Sequence, residues 1–174
     1  MKQLSHYNTN FNKQTFSITL VCDNINNAPN IGSLFRTADA FGVEKIMFCG
    51  SPIPTGRKMT KTSRATEKVV PFEERESIIE TINQLKSENY LIISLEITES
   101  SNRIDEFQFP KNQKIALIIG DENFGVSETV LNMSDFVIHI DMFGQNSSMN
   151  VVQAITIALY EATKQFLKNK ELNI

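Results

Sequence analysis

The sequence LIIGDENFGVS, residues 117–127, runs from a fully apolar stretch into a loop where two glycines flank an acidic pair and an asparagine. An apolar run of this kind is typical of a strand buried on both faces of a parallel sheet. Ligands of parallel α/β sheets bind at the carboxyl ends of strands, and glycine there permits close approach to the backbone. The loop lacks the Gly-Lys-Ser/Thr ending of a phosphate loop and the glycine spacing of a dinucleotide fingerprint. It therefore predicts either a ligand site of another kind or a tight turn with exposed carboxylates.

Strand-like and helix-like segments alternate along the rest of the chain. We predict strands at residues 17–23, 44–49, 90–95, 114–119 and 136–140, helices at 31–41, 73–86, 126–132 and 150–168, and a polar loop at 50–62. This alternation indicates an α/β fold with a mainly parallel sheet and helices on both faces. The sequence contains no repeats or linker, so we expect one domain at residues 16–170 after a loose segment at 1–15.

The composition is that of a soluble globular protein, with 41% hydrophobic and 21% charged residues among 174. No apolar run approaches the roughly 20 residues that cross a bilayer, and the first residues lack the apolar centre of a signal peptide. We therefore expect a cytoplasmic protein. Cys22 and Cys49 each end an apolar run, which predicts buried, reduced thiols, and two cysteines with two distant histidines make no metal-site spacing.

The charge is unevenly distributed along the chain. The formal net charge of −3 is not that of a general nucleic-acid binder. Between residues 56 and 70, however, five cations stand against a single acid, Glu67. We call these five residues the basic strip: Arg57, Lys58, Lys61, Arg64 and Lys68.

A second informative segment is PNIGSLFRTA, residues 29–38. Its apolar residues recur at helical spacing and predict a core-facing side, which places Arg36 on roughly the opposite side. Asn30 stands where an N-cap is expected. The free amides of such a helix start, together with Arg36, favour an anion, although for this segment alone a capped helix with a solvated arginine is the simpler explanation.

The third segment, IHIDMFGQNSSMNV at residues 138–151, leads from a strand through a small polar loop into the final helix. Ser147, Ser148 and Asn150 are natural caps for that helix. On the helix itself, Ile157 and Tyr160 lie outside the main apolar stripe. They indicate either a contact with a second subunit or a helix half-sunk in its own domain.

The three segments together resemble the signature motifs of the SpoU/TrmH-type RNA 2′-O-methyltransferases of the SPOUT superfamily. The first motif, N-x-G-[S/A]-x-x-R, is matched by Asn30, Gly32, Ser33 and Arg36. The second, G-x-E-x-x-G, is matched by Gly120, Glu122 and Gly125, and the third, S-[L/M]-N-V-S, by Ser148, Met149, Asn150 and Val151. Val152 replaces the final serine. Each motif alone is weak, whereas their order and their positions between strand and helix make the resemblance specific.

The resemblance implies a C-terminal trefoil knot that builds a pocket for S-adenosylmethionine, and it implies no metal. The residues expected to bind the cofactor come from three loops: Leu95, Glu96, Gly120, Glu122, Asn123, Gly125, Ile140, Met142, Ser148 and Met149. The expected catalytic set is Arg36, Asn30, Glu122, Ser148 and Asn150. Because a guanidinium stays protonated, we expect Arg36 to support a developing alkoxide, or to act as a base only when an RNA phosphate orients it.

The implied reaction is methyl transfer to a ribose 2′-hydroxyl of RNA, with transfer RNA as the first expectation and ribosomal RNA as the alternative. The basic strip would contact the RNA backbone, unless it is an ordinary solvated loop. The resemblance also implies a homodimer, which would account for the positions of Ile157 and Tyr160 outside the main apolar stripe. Two rival hypotheses are a catalytically silent, knotted RNA-binding protein and an unrelated nucleotide-binding module.

Overall fold

The structure, a computed structural model, describes residues 3, 4, 9 and 11–171. Its strands form one parallel sheet of seven in the order β3-β2-β1-β6-β4-β7-β5. The strands are β1 (Phe16–Asp23), β2 (Val43–Cys49), β3 (Phe72–Arg75), β4 (Tyr90–Leu95), β5 (Asn102–Arg103), β6 (Lys114–Ile119) and β7 (Phe136–His139). Much of the segment predicted to be loose, at residues 1, 2, 5–8 and 10, lies outside the described residues.

The helices are α1 (Ala28–Ala40), α2 (Arg57–Ser63), α3 (Ile78–Ser87), α4 (Glu128–Met133) and α5 (Val151–Glu171). They cover the two faces of the sheet, which divides the apolar core into two layers. One joins alternate residues of the strands to α1 and α5, and the other joins the intervening residues to α3 and α4. The predicted fold class, a parallel sheet with helices on both faces, is therefore confirmed, while the C-terminal knot stays a prediction.

The central strand β6 is buried over Ile115–Ile119 because both of its faces carry apolar side chains. Its neighbours are β1 and β4, which are buried in the same way. Since all seven strands are parallel, the carboxyl ends of β1, β4, β6 and β7 lie at the same edge of the sheet. The loops that carry the three motifs therefore start from a common edge.

The prediction of a helix at residues 73–86 is wrong for the first residues of that range. Residues Phe72–Arg75 form the edge strand β3, in which Phe72 pairs with Ile46 and packs edge-to-face on Phe35 with ring centroids 5.2 Å apart. The helix begins only after Ser77, whose hydroxyl accepts a hydrogen bond from the amide of Glu80. Short acidic stretches such as FEER carry no helical or strand periodicity, and a tertiary pairing decides their structure.

Two further sequence expectations need correction. The polar loop predicted at residues 50–62 contains α2, which begins at Arg57. The N-cap of α1 is Asn27 rather than Asn30: its side chain accepts from the amide of Asn30, and Pro29 occupies the first turn. The Asn30 side chain is consequently free to make contacts outside the helix.

The two cysteines are buried and free, as predicted. Cys22 belongs to the core layer beneath α1, whereas Cys49 belongs to the layer on the other face of the sheet. The sheet therefore separates the two thiols, and desolvation raises the pKa of both.

Candidate active site

A cavity of about 890 Å³ opens at the carboxyl edge of the sheet, bounded by the loops that follow β4, β6 and β7. All ten residues that the sequence assigns to cofactor binding line it: Leu95, Glu96, Gly120, Glu122, Asn123, Gly125, Ile140, Met142, Ser148 and Met149. Asn150, from the predicted catalytic set, lines it as well. The structure thus brings two of the three motifs to one cavity.

The loop after β6 is a compact turn built around Asp121. The Asp121 carboxylate accepts from the amides of Asn123 at 2.8 Å and Phe124 at 3.1 Å, and the Gly125 amide donates to the Asp121 carbonyl at 2.8 Å. Gly125 adopts φ +67°, and a Cβ on Gly120 would lie 2.1 Å from the Gly125 carbonyl carbon. Both glycines are therefore needed for the two ends of the turn to meet.

Glu96 holds this turn against the end of β4. Its carboxylate accepts from the amide of Val126 at 2.9 Å and from the amide of Ile97 at 3.0 Å. A Cβ on Gly125 would lie 2.3 Å from the same carboxylate. The sequence suggests only that Glu96 binds a cofactor, whereas the structure shows that its oxygens position the wall of the cavity.

One residue from each motif joins a single hydrogen-bond network. Asn30 donates through Nδ2 to Glu122 Oε1 at 2.5 Å and accepts through Oδ1 from Asn150 Nδ2 at 3.3 Å. Asn150 Oδ1 in turn accepts from the amide of Val152 at 2.9 Å and so caps α5. The capping role predicted for Asn150 is present, and the side chain also connects the first and third motifs.

Arg36 lies on the exposed side of α1 and does not line the cavity. Among the residues that the structure describes, its guanidinium has no hydrogen-bond or ion-pair partner. The neighbouring Thr37 contacts Thr156 of α5, with the two hydroxyl oxygens 3.3 Å apart. The Arg36 guanidinium is therefore available to an added molecule.

The basic strip lies on α2 and the turn after it, and all five of its side chains are exposed. α2 packs closely on α1 at Gly32, where a Cβ would lie 2.0 Å from Thr62 Oγ1 and 2.2 Å from the carbonyl oxygen of Met59. The glycine of the first motif thus fixes the helix that carries the strip. The strip itself is separate from the residues that line the cavity.

A polar cluster that sequence reasoning missed holds the start of the loop after β7. His139 Nδ1 lies 2.9 Å from Ser101 Oγ, and His139 Nε2 lies 3.2 Å from Asp141 Oδ1. Arg103 Nε lies 3.0 Å from the second oxygen of Asp141. Ser101 and Arg103 belong to the connection that contains the two-residue strand β5, which has no sequence signal of its own.

Asp23 ends β1 at this edge of the sheet and is 6% exposed. Burial raises its pKa above the usual range, the Asn24 amide that donates to it opposes the shift, and the neighbouring Asp121 adds to it.

Two absences apply to the described part of the chain. Within residues 3, 4, 9 and 11–171, no group of three or more His, Cys, Asp or Glu side chains could hold a metal ion. None of the helices within the same residues has the length and apolar character required to cross a bilayer.

The chain is similar to a known protein family and to curated members of it. Residues 17–160 match the model of the SpoU rRNA methylase family. A curated protein of Staphylococcus aureus strain MSSA476, assigned to the TrmH family of tRNA/rRNA methyltransferases, is 30% identical over 159 residues, which are 88% of this chain and 61% of that protein. The chain therefore spans less than two thirds of the length of this relative.

Two solved structures are similar to the whole fold. The TrmH/SpoU tRNA modifying enzyme of A. aeolicus superposes with a TM-score of 0.81 at 25% identity, covering 91% of this chain and 79% of that one. The SpoU methyltransferase AviRb of Streptomyces viridochromogenes, solved in complex with AdoMet, superposes with a TM-score of 0.77 at 24% identity, covering 91% and 63%. These likenesses bear out the fold class that the sequence predicts.

Proposed function

The chain belongs to the SpoU rRNA methylase family, and from this premise we propose that it transfers a methyl group from S-adenosylmethionine to a ribose 2′-hydroxyl of RNA. The observation that carries the proposal is the contact of Asn30 with Glu122 and Asn150, at 2.5 and 3.3 Å. These residues come from three separate motifs. Their union at the rim of one cavity is what a reaction site assembled from those motifs requires.

The cavity fits S-adenosylmethionine by the character of its walls. Gly120 and Gly125 leave no room for side chains where the loop closes, so main chain forms this part of the cavity wall. Leu95, Ile140 and Met149 add apolar surface for an adenine ring. The AviRb structure, which shares the fold, contains AdoMet. When bound, this cofactor supplies a methyl group already activated by a positively charged sulfur.

With the methyl group activated in this way, the protein has to position the ribose oxygen and manage its proton. Asn150 and Ser148 lie at the rim of the cavity and orient the ribose. Arg36 stabilises the developing alkoxide by its charge, because a guanidinium stays protonated and is a poor base. An RNA phosphate next to Arg36 would also orient its planar fork.

RNA is the substrate in this proposal because DNA lacks the 2′-hydroxyl that accepts the methyl group. The basic strip contacts phosphates beside the acceptor nucleotide, through side chains that are all exposed. Transfer RNA is the first candidate, since the A. aeolicus structure is that of a tRNA modifying enzyme. Ribosomal RNA is the second, since the S. aureus relative is assigned to a family of tRNA/rRNA methyltransferases. We propose the cytoplasm as the compartment, where both RNAs are present.

The proposal also includes a homodimer. Ile157 and Tyr160 are 40% and 59% exposed, so α5 is not sunk into its own domain on that side. Arg36 lies outside the cavity of its own chain. A second subunit against this side of α5 would cover the two side chains and surround Arg36 and the cavity rim with additional residues.

The test is transfer of labelled methyl groups from S-adenosylmethionine to unmodified tRNA and rRNA transcripts. We expect the native protein to label one class of RNA and Arg36→Ala to label none, while both bind the cofactor equally in calorimetric titration. Lys13→Ala, which removes a cation from the segment before β1, is the control and should retain activity. RNA binding without cofactor binding would support the silent RNA-binding protein instead.

A further inference from the structure

Two phenylalanine side chains of the loops that bound the cavity are almost fully exposed. Phe124 is 89% exposed and Phe143 is 94% exposed, and no large hydrophobic side chain among the described residues is more exposed. Phe124 lines the cavity, and Phe143 directly follows Met142, which also lines it. Apolar rings at a ligand-binding edge need an explanation, because burial of such a ring is strongly favourable.

The turn around Asp121 presents Phe124 rigidly. The Asp121 carboxylate accepts from the Phe124 amide at 3.1 Å, and the next residue, Gly125, is held at φ +67° against Glu96. The backbone on both sides of Phe124 is therefore fixed. With the backbone fixed, only the side-chain torsions of Phe124 have to be ordered when a flat partner stacks on its ring.

The surroundings of the rings select the kind of partner. Phe124 follows two carboxylates, Asp121 and Glu122, which repel phosphates and anionic lipid headgroups. Phe143 is followed by the uncharged sequence GQNSS, residues 144–148. A neutral, flat molecule with hydrogen-bonding edges fits both environments, and nucleobases have these properties. The phosphates of the same RNA would lie elsewhere, on the basic strip.

We propose that Phe124 and Phe143 form a stacking surface for an unpaired nucleobase beside the acceptor ribose. A base inside a duplex already stacks on its neighbours, so the acceptor must lie in a loop, a bulge or a locally opened segment. This inference rests on the proposed function and specifies its substrate class. It predicts that the protein discriminates single-stranded from paired RNA at this position.

The experiment uses the full chain and an RNA oligonucleotide containing 2-aminopurine, free or annealed to its complement. We expect tighter binding to the single strand and quenching of the 2-aminopurine fluorescence. Phe124→Ala should weaken single-strand binding roughly tenfold and abolish the quenching, because stacking on an aromatic ring contributes about this much per base. Phe143→Ala should act in the same direction. Phe124→Tyr should restore both signals, and duplex binding should not change.

Phe11→Ala removes a ring that is 82% exposed but precedes β1, and it should leave every signal unchanged. The proposal is overturned if native protein binds duplex and single strand equally, or if Phe124→Ala and Phe11→Ala behave alike. It is also overturned if Phe124→Ala lowers affinity for S-adenosylmethionine but not for RNA, or changes only the oligomeric state. None of these readouts needs methyl transfer, so quenching without methylation would refute the proposed function and not the stacking surface.

Discussion

The side chain of Asn30 donates to Glu122 and accepts from Asn150, so one amide joins residues 92 and 120 positions away along the chain. Asn30 can do so because Asn27 caps α1 in its place. The sequence predicts that these residues belong to one site but assigns Asn30 to capping. The choice between two asparagines three positions apart depends on where Pro29 enters the helix, which no periodicity reveals.

The Asn150 side chain donates to Asn30 and also caps α5, and substitutions can separate these two roles. Asn150→Asp keeps the oxygen that accepts from the Val152 amide but loses the donor to Asn30. We expect methyl transfer to fall at least about tenfold with an unchanged melting temperature, since a lost positioning contact raises the barrier by about 1.4 kcal/mol or more. Asn150→Ala should additionally cost about 1 kcal/mol of stability through loss of the cap. Equal activity of Asn150→Asp and the native protein would show that the contact to Asn30 is dispensable.

Asp23 makes stability depend on pH in a defined direction. Its pKa in the folded state is raised, chiefly by burial, so the folded protein favours the neutral acid. The preference of the folded state for the protonated Asp23 carboxyl stabilises the protein in acid. This stabilisation is fully present below the unfolded pKa of about 3.9 and is lost as the pH rises through the raised folded pKa. Asp23→Asn should therefore be more stable than the native protein at neutral pH, and the difference should shrink in acid.

Urea unfolding between pH 4 and pH 8 measures this difference. Asp39→Asn removes the same charge at an exposed position of α1 and serves as the control. If the advantage of Asp23→Asn is the same at every pH, burial of the charge is not its cause.

At the scale of elements, Gly32 fixes the crossing of α1 and α2. A Cβ there would meet Thr62 Oγ1 at 2.0 Å and backbone of Met59 at 2.2 Å, so the helices must separate to accept it. We expect Gly32→Ala to destabilise the protein by about 1–3 kcal/mol and to weaken RNA binding by displacing the basic strip. Gly144→Ala, where a Cβ would meet nothing within 4 Å, is the matched control for stability.

Chemical denaturation and RNA titration of both variants test this prediction. Full stability of Gly32→Ala would mean that the α1–α2 contact is loose. Full stability together with weakened RNA binding would assign the glycine a direct role at the RNA instead.

Among the elements, the sequence predicts the buried strands well and the short exposed elements poorly. β4 and β6 fall at the predicted residues because buried parallel strands are nearly continuous apolar runs. The sequence does not predict β3 and α2, because they are short, largely exposed and held by contacts with β2 and α1. Likewise, the sequence EITES at residues 96–100 gives no hint that Glu96 holds the turn after β6. Tertiary contacts, rather than local preferences, decide these elements.

At the scale of the whole molecule, the exposed side of α5 predicts a dimer. Ile157 and Tyr160 present apolar surface next to Thr156, which contacts α1 near Arg36. We expect light scattering to give the mass of two chains at micromolar concentration. Ile157→Asp should give a folded monomer that binds cofactor but methylates RNA poorly, because its site lacks the second subunit.

Val69→Asp places the same charge at another exposed apolar side chain, one that is 71% exposed, and should remain dimeric. A native protein that is monomeric and active would refute the role assigned to α5. A dimer that survives Ile157→Asp would place the interface elsewhere on the surface.

The position of the transferred methyl group tests the central claim most directly. A 2′-O-methyl group removes the nucleophile of alkaline cleavage, so the modified linkage survives in base as a dinucleotide while every other linkage breaks. We expect labelled RNA from the reaction with S-adenosylmethionine to release its label entirely in one alkali-resistant dinucleotide, and Arg36→Ala to release none. Label recovered in mononucleotides would place the methyl group on a base and contradict the account.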